Sequence, residues 1–254
     1  MTYLISDIHS DYKGFLNILH KIGYNNQDML ILVGDIVDRG AEPLRLLKYV
    51  KRMVQSEDYN VMLLKGNHEL FFQMYLQGTL SAGTWDRFGG QKTRQEVDEI
   101  SQIEKHELQQ FIKNLPIYTK LNSPIYGETI VVHSGIDIDY LVYNEDGFVD
   151  VEESIQRGVK ENEYQFLISG DIHDCAAAIR RKLDKYIICG HVPTTNLNLD
   201  GSYRVYKGDS YMDIDTGNGH KANGGCLSCA GTTFPIERLG IPAIVVADGP
   251  AGLR

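Results

Sequence analysis

An α/β fold is predicted for this 254-residue chain by two recurrent features. Short apolar runs are each closed by a polar turn, and stretches with apolar residues at helical spacing lie between them. The runs are "TYLIS" before "DIH", "MLILV" before "GDIVDRG", "VMLLK" before "GNHE", "TIVV" before "HSG", "YIIC" before "GH" and "YMDID" before "TG". Between them, Phe15, Leu19 and Ile22 predict a helix that Gly23 stops, because glycine readily takes the left-handed conformation that ends one. Leu46, Val50 and Met53 predict another, with Pro43 near its start. Leu108, Phe111, Ile112 and Leu115 form the stripe of a third in "HELQQFIKNLP", closed by Pro116. These faces are read as core, not as cofactor-binding surfaces. No fixed-period repeat, low-complexity tract or Pro/Gly/Ser linker divides the chain.

The length fits one large α/β domain or two small ones. A hydrophobic content of 43% and a charged content of 23% are ordinary for a globular protein. No apolar run approaches the roughly 18 to 20 residues that a membrane span needs. "MTYLISDIHS" lacks the basic flank and apolar core of a signal peptide and reads as a first strand, so the cytosol is the expected compartment. A formal net charge of −9 argues against a nucleic-acid surface, while it tolerates cationic metals and phosphorylated substrates. Cys175, Cys189, Cys226 and Cys229 are too few and too scattered for a disulfide framework. The C-x-x-C of Cys226 and Cys229 lacks the second pair of a zinc site, so all are expected to be reduced structural thiols.

Open α/β sheets place ligand sites beyond the carboxyl ends of their strands. If the six runs are neighbouring strands, Asp7, His9, Asp35, Asp38, Asn67, His68, His133 and His191 converge on one crevice. Carboxylates, imidazoles and an amide without thiolates suit Mn²⁺, Fe or Zn²⁺. The acids and imidazoles exceed what one tetrahedral site with an open position requires, whereas a pair of metals sharing a bridging carboxylate uses them economically. Such a pair, ~3.5–4 Å apart, acidifies a bridging water and clamps both oxygens of an in-line phosphoryl displacement. Arg39 adds a planar donor that fits phosphate oxygens. The serine of "HSG" lacks the flanks of a nucleophile elbow. Each short motif alone carries little; their ordered set, each behind its own apolar run, carries much.

On these motifs the chain resembles the metallophosphoesterase superfamily, and within it the bacterial and phage phosphoprotein phosphatases. The family pattern G-D-x-H-G, G-D-x-V-D-R-G, G-N-H-E, H-x-G and G-H is matched in order by "SDIHS" (6–10), "GDIVDRG" (34–40), "GNHE" (66–69), "HSG" (133–135) and "GH" (190–191). "WDRFGGQKT" (85–93) resembles a W…GG..T segment of the phage-type members, and "DTG" (215–217) matches as well. The fold implied is α/β, a calcineurin-like metallophosphoesterase β-sandwich of two sheets flanked by helices. The resemblance implies two divalent metal ions, Mn²⁺ before Fe or Zn²⁺. Asp7, His9 and Asp35 would hold one, and Asp35 would bridge to a second held by Asn67, His133 and His191. It further implies that a metal-bridging hydroxide attacks phosphorus without a covalent intermediate. His68, oriented by Asp38, would protonate the leaving oxygen, and Arg39 and Asn67 would bind the phosphate.

The chain departs from that pattern. Ser10 replaces the glycine after Asp-x-His, and Lys65 stands where the family often has arginine. A second phosphate-binding arginine is missing between H-x-G and G-H, where "FLISGDIHD" (166–174) offers Gly170 and Asp171; Arg157, Arg180 or Arg181 could substitute. The same stretch echoes the N-terminal "SDIHSD", which raises a second metal site at Asp171 and His173. Residues 1–230 are expected to form the metallophosphoesterase domain and 231–254 an atypical tail. "IERLGIPAIVVADGPAGLR" (236–254) looks like a stretch near the start of family-three glycoside hydrolases, too short for such a domain, so no glycosidase activity is expected; alternatively "PAIVV" is a closing strand. The leading expectation is a serine/threonine protein phosphatase, with dual specificity as its variant, acting on phosphorylated proteins without nucleic-acid or membrane partners. The alternatives are hydrolysis of a small phosphorylated molecule, dinucleoside polyphosphates included, and a non-catalytic binding module of the same fold.

Overall fold

The structure, a computed structural model, describes residues 1–223 and the backbone strands Cys229–Thr232 and Val245–Asp248. Strands β1 (Thr2–Ile5), β2 (Met29–Leu32) and β3 (Asn60–Leu63) run parallel, and β9 (Cys229–Thr232) and β10 (Val245–Asp248) extend that sheet antiparallel in the order β10-β9-β1-β2-β3. A second sheet has the order β4-β5-β6-β8-β7, from β4 (Tyr118–Ser123), β5 (Gly127–Val132), β6 (Tyr186–Cys189), β7 (Tyr206–Gly208) and β8 (Tyr211–Asp213). The six apolar runs therefore do not share one open sheet. Three fall in each, and the sites at their ends meet where the sheets face one another.

Strand alternation explains the layering, because successive side chains point to opposite faces. Leu4, Ile31, Val33, Leu64, Val131, Ile188, Met212 and Ile214 pack between the sheets. Their neighbours Ile5, Leu30, Leu32 and Leu63 face outward under helices α1 (Tyr12–Lys21) and α2 (Pro43–Gln55). On the other flank, Ile130, Val132, Ile187 and Cys189 pack with Val151, Ile155, Phe166 and Leu167 of α7 (Val151–Ile168). Being apolar on both faces, the strands read as continuous greasy runs, and each fully buried Leu or Ile contributes about 1.5–3 kcal/mol.

The predicted helices form as expected. Asp11 caps α1 by accepting from the Gly14 amide, and Gly23 follows its end at φ 64°. Pro43 opens α2, and the third stripe is α6 (Gln102–Lys113). Helix α3 (Asn67–Leu76) bridges the layers, with Phe71 and Phe72 in one core cluster and Leu70 in the other. Short helices α4 (Ala82–Arg87) and α5 (Gln91–Glu99) follow, and α8 (Asp171–Asp174) and α9 (Ala177–Arg180) precede β6. No helix among the described residues is long and apolar enough to cross a membrane. Within the tail, β10 contains the end of "PAIVV"; the rest of the likeness to glycoside hydrolases lies outside the described residues.

Candidate active site

The loops after five parallel strands deliver the site. Asp7 and His9 follow β1; Asp35, Asp38 and Arg39 follow β2; Asn67 and His68 open α3 after β3; His133 follows β5 and His191 follows β6. The turns are sharp. Asp7, His9, Asp35, Asp38, Arg39 and His191 all take positive φ, and among the described non-glycine residues only Ser10 and Ser210 join them. That conformation costs an L-residue roughly 1–2 kcal/mol, so the strain is concentrated where the side chains converge. Asp7, His9, Asp35, His68 and His133 are each at most 3% exposed.

Three imidazoles aim one ring nitrogen at the centre, because the other ring nitrogen of each faces a backbone carbonyl. His9 Nδ1 lies 3.1 Å from Val37 O, His133 Nδ1 2.8 Å from Val33 O, and His191 Nε2 3.2 Å from Ile168 O. Such outer hydrogen bonds set the tautomer of a metal-binding histidine. Inward, His9 Nε2 is 3.9 Å from Asp7 Oδ1 and 4.0 Å from Asp35 Oδ2. His133 Nε2 is 3.4 Å from Asp35 Oδ1, and Asn67 Oδ1 lies 3.0 Å from His133 Nε2 and 2.9 Å from His191 Nδ1. Two donor sets thus meet at Asp35.

The residues fit a pair of cations. Asp7 Oδ1 and His9 Nε2 are buried without a hydrogen-bond partner, a costly arrangement unless something positive lies between them. Donors bonded to one ion at about 2.0–2.2 Å can stand no more than about 4.4 Å apart, and the separations above obey that limit. Burial, with Arg39 adding to it, holds His9 well below its ordinary value, and burial beside His133 pushes His191 down to about 3. Burial opposes a charge on His133, but the Asp35 carboxylate outweighs it and holds that imidazole up at about 10. Burial likewise presses Asp35 upward, while His133, His68 and His9 draw it well below the carboxylate range.

Around this centre, the Asp38 carboxylate is gripped from three sides. Oδ2 accepts from His68 Nδ1 at 2.7 Å and from Trp85 Nε1 at 2.7 Å, and Oδ1 accepts from the Thr93 hydroxyl. The W…GG..T segment is therefore a clamp on Asp38. Its glycines are required sterically: a Cβ on Gly90 would meet Trp85 Cδ1 at 2.2 Å, and Gly89, at φ 93°, accepts from the Arg39 amide through its carbonyl. Glu69 ties the loops together, accepting from Asp35 N at 2.8 Å, Ile36 N at 2.9 Å and Gly66 N at 2.9 Å. Burial and the neighbouring Asp35 raise it to about 7.

The profile of the calcineurin-like phosphoesterases matches residues 2–222. The chain belongs to that family. It is a metal-dependent phosphoester hydrolase with the family's α/β fold. The asymmetrical bis(5'-nucleosyl)-tetraphosphatase PrpE of Bacillus velezensis is 28% identical over 75% of this chain and 76% of its own. A symmetrical bis(5'-nucleosyl)-tetraphosphatase of Actinobacillus pleuropneumoniae is 30% identical over 55% of this chain, which spans 46% of that relative. A protein serine/threonine phosphatase from Saccharomyces cerevisiae superposes with a TM-score of 0.55 at 16% identity, covering 98% of this chain and 81% of that one, a likeness of fold.

As a calcineurin-like phosphoesterase the chain is unusual at the positions noted from sequence. Ser10 occupies a φ of 60°, which explains a glycine preference there, and its hydroxyl donates to Asp38 O at 3.1 Å. Lys65 turns away to pair with Glu163 at 2.9 Å. Arg180 is engaged by the carbonyls of His173 and Cys175, while Arg157 on α7 and Arg181 just after α9 are exposed. Instead, a groove of about 690 Å³ beside His9 and Arg39 is lined by Lys13 of α1 and Arg45 of α2. Sequence reasoning missed both, although each lies a few residues beyond a metal-type motif. Asp171 and His173 do not come together as a pair: Asp171 accepts from the Ile138 amide at 3.1 Å, while His173 faces Tyr211 and Asp213.

Proposed function

We propose that this phosphoester hydrolase acts on dinucleoside polyphosphates. The observation that carries the reading is the groove, in which Lys13, Arg39 and Arg45 lie beside His9 of the first donor set. One phosphate is met by Arg39 and Asn67 at the centre; a chain of phosphates uses further cations spread along a groove. Two acids also line it: Asp11 caps α1, and Glu42 pairs with Arg45, which would exchange that exposed partner for the phosphate chain. The similarity to two kinds of bis(5'-nucleosyl)-tetraphosphatase supports the same reading.

In this mechanism Asp7, His9 and Asp35 would hold one divalent cation, and Asp35, Asn67, His133 and His191 would hold a second. Asp7 completes the first set better than His68, because its Oδ1 is unpartnered whereas His68 Nε2 already faces the Arg39 guanidinium at 3.2 Å. The cations, when bound, supply acidification of water and positive charge toward the phosphoryl group. Arg39 and Asn67 bind the phosphate oxygens. When Arg39 turns to the phosphate it frees His68 Nε2, which then carries the proton given to the leaving oxygen. Burial would strip that proton, but the carboxylates of Asp35 and Asp38 more than offset it and raise His68. Water's oxygen bonds to phosphorus and releases one proton to solvent, the bond to the leaving oxygen breaks and that oxygen takes the proton of His68, and no enzyme–phosphate bond forms.

A second reading, phosphoserine or phosphothreonine hydrolysis on proteins, draws on the Trp85–Thr93 clamp, whose motif resembles that of phage-type phosphoprotein phosphatases. Diadenosine tetraphosphate and a phosphopeptide assayed side by side with Mn²⁺ separate the two. A kcat/KM at least tenfold higher for the dinucleotide, lost with Lys13→Ala and Arg45→Ala, supports the first; the reverse order installs the second. A folded, metal-loaded protein inert on both would leave the non-catalytic module.

A further inference from the structure

Outside the centre, a second group of metal-type side chains takes no part in it. His173, Cys189 and Asp213 each offer a ligand atom, and these lie within 4.8 Å of one another. His173 Nε2 is 3.2 Å from Asp213 Oδ2, and Cys189 Sγ is 3.9 Å from the same oxygen. Cys189 and Asp213 are fully buried, and the His173 side chain is only 4% exposed. Tetrahedral zinc, with bonds of about 2.0–2.3 Å, sets its donors about 3.3–3.6 Å apart, close to these separations.

Two further observations point to a ligand. The His173 Nε2 atom is buried and lacks a hydrogen-bond partner, although it aims at the carboxylate. Its other nitrogen faces the Tyr211 hydroxyl at 3.1 Å; with the proton there, Nε2 presents a lone pair to an oxygen, a repulsion that a cation between them relieves. Among the described residues no lysine or arginine pairs with Asp213. Its Oδ1 accepts from the Asp215 amide at 2.8 Å, leaving Oδ2 toward His173 and Cys189.

We infer that His173, Cys189 and Asp213 bind a divalent cation of the zinc class. Thiolate, imidazole and carboxylate form a borderline-soft donor set, and the two anionic ligands neutralise the ion. Water takes the fourth position. Cys189 ends β6 two residues before His191, Asp213 ends β8 two before Asp215, and His173 lies on α8. The ion would tie that helix to the strand end that presents His191.

Cobalt spectroscopy tests this without an activity readout. The catalytic donor sets contain no thiolate, so a near-ultraviolet thiolate-to-cobalt band reports cysteine ligation alone. Cys226 and Cys229 are first replaced by serine in the full chain, since their C-x-x-C could itself bind cobalt. The expected result is that band, together with one tightly bound equivalent of cobalt beyond the catalytic pair. Cys189→Ser should abolish the band, and His173→Ala should lose the extra equivalent, while the visible cobalt bands of the catalytic centre persist. A folded, cobalt-loaded parent without the band overturns the site whether or not the variants fold. So does a band that survives Cys189→Ser.

Discussion

At the scale of single residues, His68 is defined by two contacts: Nδ1 held by Asp38 at 2.7 Å, and Nε2 turned toward Arg39 at 3.2 Å. His68→Asn removes the proton donor but spares the proposed cation ligands. It should lower kcat by about 10²–10⁴, with metal content by elemental analysis unchanged; a parallel loss of metal would place His68 among the ligands instead. Arg39→Lys keeps the charge and loses the planar fork, so KM should rise roughly tenfold while kcat falls less. These residues were legible in the sequence for a physical reason. Arg39 follows an apolar strand in a turn held at positive φ, and His68 opens the helix that follows the next strand, where a cation or an imidazole serves no packing purpose. Lys13 and Arg45 were not, because an exposed cation on a helix reads as a solvated face until the fold places it beside the groove.

At the scale of elements, α4 and α5 act on the chemistry through Asp38. Trp85→Phe keeps a buried ring against Phe72 but removes the indole N–H donor. An apparent kcat fall of about tenfold, near 1.4 kcal/mol in barrier, is expected with little change in Tm. Were the fall matched by global unfolding, the clamp would be only part of the core. Glu69 ties the loop after β2 to the first turn of α3. Glu69→Ala strands three buried amides, each costing about 1–3 kcal/mol, and should lower Tm by about 10 °C in thermal unfolding, with Glu69→Gln milder. The motif "GNHE" exposes Glu69 to a reader as a helix-start acid. Its partners Asp35 and Ile36 lie more than thirty residues away in sequence, so the tie itself appears only with the fold. The apolar runs announced strands, but their division between two facing sheets depends on long-range pairing that no local pattern states.

At the scale of the whole molecule, the facing sheets bring carboxylates and imidazoles together in a buried centre, and its electrostatics should be visible in stability. In metal-free protein the folded value of His133 stands at about 10, above its ordinary 6.5. The folded state thus holds a proton that the unfolded chain releases, and this stabilisation is present below about pH 6.5 and is lost as pH rises toward 10. Metal-free protein should therefore lose Tm across that window, by calorimetry. Protein loaded with Mn²⁺, in which His133 is a neutral ligand, should not; a flat profile without metal would mean that His133 and Asp35 are not a charged pair. The most direct measurement is hydrolysis of p-nitrophenyl phosphate with and without Mn²⁺, beside His68→Asn. Turnover that requires the metal and collapses in the variant is the predicted result. Turnover undiminished by thorough chelation, or unchanged without His68, would contradict a two-cation centre with His68 as its proton donor.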